Sequence, residues 1–86
     1  MELKNLMEVV VSHAIDDIKK HYEFCGCEQC RLDIAALALN NIPPRYVVSS
    51  KGDSYGRADL LAMQKDLDIL GTVLDAVKTV QKKPRH

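Results

Sequence analysis

The 86-residue sequence has no excess of either charge: twelve Lys and Arg stand against twelve Asp and Glu, for a formal net charge of +0. A general nucleic-acid binder draws its affinity from a basic surface that displaces counterions from phosphates, so direct nucleic-acid binding is not expected. No apolar run approaches the roughly 18 residues of a membrane span. The N-terminus lacks the basic-then-apolar form of a secretory signal, and a cytoplasmic protein without a membrane partner is expected. Neither a Walker-type loop nor a GxGxxG run is present. No repeat or low-complexity tract appears. Cysteine is scarce and odd in number, with Cys25, Cys27 and Cys30 the only three. An odd count without an export signal argues against a disulfide framework.

The rest is ordinary for a folded chain, 47% hydrophobic and 28% charged. Residues 1–86 are read as one small all-α domain. A chain of this length buries only about 60–65% of its unfolded surface, so a staple is expected: a metal, a disulfide or a second chain.

Leu3, Leu6, Met7, Val10, Val11, Ala14, Ile15, Ile18 and Tyr22 recur at three- and four-residue steps, which predicts an amphipathic helix over 3–22. Lys19, Lys20 and His21 suit the negative end of its dipole. Residues 23–29 form a tight cysteine-bearing loop. A second helix is expected from about Cys30 to Asn40. Leu32, Ala35, Ala36 and Leu39 form one face, and its other side is nearly as apolar, the mark of a buried helix. Asn40 and Asn41 can supply a left-handed C-terminal residue, and Pro43-Pro44 ends the helix. Arg45 to Ser50 reads as extended chain, followed by a turn at 49–54 in which Asp53 or Ser54 can cap a third helix. That helix is placed at about 57–82, from Leu60 and Leu61 through Met63, Leu67, Leu70, Val73, Leu74, Val77 and Val80. It would span nearly 40 Å at about 1.5 Å per residue. Gly71 in its interior costs about 1 kcal/mol relative to Ala and points to a close backbone contact. One small monomer cannot easily cover such a stripe, so a homodimer is expected.

Cys25-x-Cys27-x-x-Cys30 places three soft ligands in one loop, and one further N or S donor would complete a tetrahedral zinc site. Cys30 near a helix N-terminus favours thiolate, and Arg31 and the helix dipole offset the charge of the centre. Zn2+ as a structural cofactor is the expectation. No base accompanies the cluster, so no catalytic residue is assigned and the protein is not read as an enzyme. A redox Cys27–Cys30 pair is the alternative, without the β-α-β surroundings of a thioredoxin-like site. The fourth ligand is either His86, which would close a long loop and remove more chain entropy, or the nearby His21. His13, Asp17 and His21 share a helix face that resembles a second metal site, but a solvated face is the preferred reading.

A second constellation surrounds residues 40–57. Arg45 and Arg57, with Arg31, offer cations for phosphates; Tyr46 and Tyr55 offer stacking surfaces; Asn40 or Asn41 can read base edges. The plain alternative is a rigid helix stop with Tyr46 packed on the core. Asp33, an acid in an apolar helix, is expected to pair with Arg45 or with another chain.

Leu3-Lys-Asn-Leu-Met-Glu, Cys25-Gly-Cys-Glu-Gln-Cys-Arg-Leu-Asp-Ile-Ala-Ala-Leu-Ala-Leu-Asn, Pro43-Pro-Arg-Tyr-Val-Val and Pro84-Arg-His together resemble the late-competence ComFB family. The resemblance runs over nearly the whole chain; the third helix matches in pattern only. It implies a small helical homodimer, with zinc in the cysteine-bearing members. It also implies a regulatory role, since family members are receptors for cyclic dinucleotides; a receptor of this kind is expected here to pass its state to a protein partner. Members without the cysteines keep the Leu39-Asn-x-x-Pro-x-x-Tyr46 block, which implies that zinc is a scaffold and the ligand site lies elsewhere. Some members carry a fourth cysteine near the C-terminus; here His86 is the positional candidate.

Overall fold

The computed structural model describes residues 2–49 and 62–83. In chain order they form β1 (Glu2–Asn5), α1 (Leu6–His21), α2 (Glu28–Leu39), β2 (Tyr46–Ser49) and α3 (Leu67–Lys82), with a short helical turn at 62–64. Three helices form the body, and a two-stranded antiparallel ribbon closes one end. The all-α expectation is corrected by that ribbon.

Residues 3–5, expected in the first helix, belong to β1. Leu3 pairs with Val48 and Asn5 with Tyr46. Asn5 stops the helix from starting earlier: its Oδ1 accepts from the Met7 N–H at 3.1 Å as N-cap and from the Arg45 N–H at 3.0 Å. The Leu6 N–H donates to the Arg45 carbonyl at 2.7 Å, carrying the pairing into the first turn of α1. Leu3, with the right spacing for the apolar stripe, is 71% exposed.

α1 buries Leu6, Met7, Val10, Val11, Ala14 and Ile15. α2 begins at Glu28, two residues earlier than expected, because Cys27 caps it. The face it buries is Cys30, Ile34 and Ala38, not the Leu32–Leu39 stripe; Leu32 is 59% exposed. Asn40 closes the helix in a right-handed conformation, and Asn41 folds its Nδ2 back to the Leu37 carbonyl at 2.8 Å.

The single helix expected over 57–82 is interrupted at Lys65–Asp66. Asp66 donates its N–H to the Met63 carbonyl at 3.2 Å and caps α3, its Oδ1 accepting from Asp68 N–H at 2.8 Å and Ile69 N–H at 3.3 Å. The sixteen residues of α3 make a rod of about 24 Å rather than 40 Å. Val73, Ala76 and Val77 face inward and join Met7, Val10, Val11, Ala14, Ile15, Ile34 and Ala38 in one core. Gly71 makes no close contact among the described residues, where a Cβ there would meet nothing within 4 Å. The turn expected at 50–54, its cap at Asp53 or Ser54 and the helix start at 57 lie outside the described residues.

Candidate metal centre

The cysteine loop links α1 to α2 and touches all three helices. Tyr22 closes α1, its N–H donating to the Ile18 carbonyl at 2.8 Å. Phe24 turns inward as part of the core. Lys19, from the last turns of α1, reaches over the loop: its Nζ donates to the Phe24 carbonyl at 3.3 Å and sits 5.0 Å from the Phe24 ring centroid. A Cβ at Gly26 would run into that same Nζ, so glycine is what lets the cation settle there. Cys25 is then tied to α3, where its N–H donates to Gln81 Oε1 at 3.1 Å.

Cys27 is the N-cap of α2, and its Sγ accepts from the Cys30 N–H at 3.4 Å. One turn of helix brings Cys30 back under the loop. The three Sγ atoms all lie within 4.8 Å of one another. Cys27 is exposed, Cys25 half-buried and Cys30 fully buried. The expectation that the helix N-terminus favours a Cys30 thiolate is corrected: burial pushes its thiol up to about 12, and its hydrogen bonds and charge repulsion with Cys25 and Cys27 push the same way. Without a metal this is a nest of thiols that resists losing its last proton. A soft cation removes that resistance, because it replaces mutual repulsion with three bonds.

Two further observations fit the net-negative centre that three thiolates and a divalent cation would form. Gln81 Nε2 is buried and has no hydrogen-bond partner among the described residues. The N-terminus of α2 and the ammonium of Lys19 both bring positive charge to the loop. Among the described residues the three sulfurs form the one metal-competent group. His21, exposed at the end of α1, is not in it. His86 lies outside the described residues.

Among the described residues, His13, Asp17 and His21 form no metal-competent group. Gln64, 8% exposed, stands between two of them. Its Oε1 lies 3.2 Å from His13 Nδ1, and its Nε2 donates to Asp17 Oδ2. With Nε2 facing a carboxylate, Oε1 must face the ring, so His13 Nδ1 carries the proton. His21 instead lines a cleft of about 490 Å³ with Ile18, Tyr22, Leu67, Leu70 and Leu74.

The nucleotide-recognition candidates are scattered. Arg31 packs on α1, its Nη1 2.8 Å from Asp16 Oδ1 and its Nη2 donating to Ser12 Oγ at 2.9 Å and the Ser12 carbonyl at 3.1 Å. Asn40 is exposed at the opposite end of α2. Arg45 and Tyr46 stand side by side where β2 begins, both exposed, with Arg45 Nη1 3.9 Å from Met63 Sδ. Tyr46 is 61% exposed and is not packed on the core. Tyr55 and Arg57 lie outside the described residues. Asp33 accepts from Gln29 Nε2 at 3.1 Å on both oxygens. Sequence reasoning missed Gln81, Lys19 and Gln64. Each acts across a fold contact or a loop, and nothing in its own helix marks it.

The comparisons with known proteins agree with one another. The family model for late competence development protein ComFB matches residues 4–84. Competence protein ComFB of Bacillus subtilis (strain 168) is 30% identical over 83 residues, covering 95% of this chain and 85% of that protein. The solved structure of the late competence protein ComFB from Bacillus subtilis superposes with a TM-score of 0.82 at 30% identity, over 96% of this chain and 94% of that one. The chain belongs to the ComFB family.

Proposed function

We propose that this chain is a non-catalytic regulatory protein of the cytoplasm: a homodimer, stapled by one zinc ion per subunit, that receives a cyclic dinucleotide and acts through a protein partner. The observation that carries the reading is the nest of three sulfurs within 4.8 Å. Zinc–sulfur bonds of about 2.3 Å at tetrahedral angles put sulfurs about 3.8 Å apart, so the nest needs only a small contraction. Cys25, Cys27 and Cys30 hold the ion, and His86 supplies the fourth donor. α3 delivers its C-terminal end to the loop through Gln81, five residues before His86. When bound, zinc supplies a cross-link between the loop and the helices, with no reaction of its own.

Support for the homodimer comes from α3. Leu67, 83% exposed, leads a stripe with Leu70 and Leu74 beside the open face of Gly71. A second copy of the same stripe would cover it. Support for the ligand comes from Arg45 and Tyr46, consecutive and both exposed, which bring a cation and an aromatic ring to one short segment. Among the described residues Arg45 takes part in no ion pair. A cyclic dinucleotide brings two phosphates and two purine faces, and a two-fold dimer presents such a pair twice.

A native mass spectrum, with and without cyclic di-GMP and cyclic di-AMP, tests the dimer, the zinc and the nucleotide together. The expected species is a dimer with two zinc ions that gains a nucleotide mass. A dimer with two zinc ions that binds neither nucleotide would favour a structural adaptor instead. That second reading has its own observation: Leu3, Tyr46 and Val48 share one face of the ribbon and are each more than 60% exposed, a surface suited to a protein partner.

A further inference from the structure

The carboxamide of Gln81 is oriented by its own bond. Its Oε1 accepts from the Cys25 N–H at 3.1 Å, so oxygen and nitrogen cannot exchange places without losing it. The Nε2 that this leaves is buried and, among the described residues, has no hydrogen-bond partner. Buried donors are almost always satisfied, and an orphan in a native structure calls for an explanation. The explanation at hand is chemical. A thiol is a weak acceptor, whereas a thiolate bound to a metal is a negatively charged one. Gln81 is fastened through its Oε1 to the backbone of the first of three clustered cysteines, the group in which such thiolates arise.

We propose that Gln81 is an outer-shell positioning residue of the metal centre, its Oε1 holding the Cys25 backbone and its Nε2 donating to the thiolates that metal binding creates. The inference rests on the metal reading above. Lys19 acts from the other side, its Nζ held between Phe24 and Gly26, the two neighbours of Cys25. Cys25 is therefore fixed by α3 and flanked by a cation from α1. Partners of this kind orient metal ligands and tune their basicity.

The test uses the full chain loaded at pH 8 with Zn2+ or Co2+, as wild type, Gln81→Glu and Gln81→Leu. Gln81→Glu keeps an acceptor for the Cys25 N–H, removes the donor and adds a negative charge. Gln81→Leu removes both. The expected result is a loss of zinc affinity of about 10–100-fold in chelator competition for both variants, with Gln81→Glu at least as weak as Gln81→Leu. In the cobalt form the thiolate charge-transfer band should move to lower energy in both, because a sulfur that has lost a hydrogen bond gives up its electrons more readily. If Gln81→Glu keeps the wild-type affinity and band, the residue only braces the loop and the proposal is wrong, whether or not Gln81→Leu folds. Wild type that takes up neither metal would overturn the metal reading itself, an outcome visible before any variant is compared.

Discussion

Arg31→Ala is expected to cost stability, because the guanidinium fastens the first turn of α2 to the middle of α1. It makes three contacts there: Asp16 Oδ1 at 2.8 Å, Ser12 Oγ at 2.9 Å and the Ser12 carbonyl at 3.1 Å. They are not equal. The Asp16 carboxylate is 59% exposed and the Arg31 side chain 34%, so solvent screens the ion pair and it contributes about 0.5 kcal/mol. The Ser12 carbonyl already serves the α1 ladder, so losing its second donor costs a few tenths of a kcal/mol at most. The partly buried bond to Ser12 Oγ contributes about 1 kcal/mol, and loss of the arginine stem from the helix–helix seam adds to it. The sum is about 2 kcal/mol, which for a domain of this size lowers the melting temperature by about 8–16 °C. Thermal unfolding followed by circular dichroism reads it directly. Asp16→Ala should cost only the ion-pair share, and 0.5 M salt should erase that share while leaving most of the Arg31→Ala effect. A shift for Arg31→Ala no larger than that for Asp16→Ala would refute the clamp.

The remaining predictions follow the same geometry. A strong chelator, or Cys27→Ser without one, should lower the melting temperature markedly, since metal bound only to the folded state adds its binding energy to folding; zinc content by elemental analysis and a melt with and without EDTA check this. The metal-free protein should lose stability in alkali: the buried Cys30 thiol, raised from 9.0 to about 12, favours folding fully below pH 9, and that contribution fades as the pH rises towards 12. Urea midpoints measured against pH should fall over that window, and fall less steeply in Cys30→Ala. Gly71→Arg should leave the helix intact, because among the described residues nothing lies within 4 Å of a Cβ there, yet sedimentation should show the proposed dimer shifted to monomer. Arg45→Ala should weaken cyclic dinucleotide binding by about 1.5–3 kcal/mol in calorimetry while leaving zinc content unchanged. Lys20→Ala, on the last turn of α1, is the control; Lys4 is unsuitable because it pairs with Val47, next to Tyr46.

Local patterns in the sequence carried far, and they stopped where the chain meets itself. The body of α1, the Pro43–Pro44 stop and the cysteine nest are all local, and all can be read from spacing. The start of α1 cannot. Leu3 continues the helical period, and only pairing with residues some forty positions away turns it into strand. Asp66 is a strong cap, but an unbroken apolar period on both sides conceals the break it makes. In α2 the ambiguity is intrinsic. A helix apolar on nearly every side has no preferred face, so Cys30, which the loop must hold inward, decides that Ile34 and Ala38 are buried and Leu32 is not.

The two ends of the bundle are closed by different chemistry, which bears on what a metal in the loop would do. At one end Asn5 ties the start of α1 to Arg45, and the ribbon follows. At the other end the cysteine loop gathers Lys19 from α1, the cap of α2 and Gln81 from α3. The sixteen residues of α1 hold these ends about 24 Å apart. A zinc ion in the loop would therefore be too far from Arg45 and Tyr46 to touch anything bound there. Its influence must pass through the packing of Val10, Val11, Ile15, Ile34, Val73 and Val77, which form the core along the way. A scaffold metal predicts that stripping the ion lowers ligand affinity only as far as it loosens that core. Calorimetry on metal-free protein, at a temperature where circular dichroism still shows it folded, should find nearly unchanged affinity. A complete loss of binding by a folded, metal-free chain would mean that the loop and the Arg45 face work as one site, against the separation set by α1.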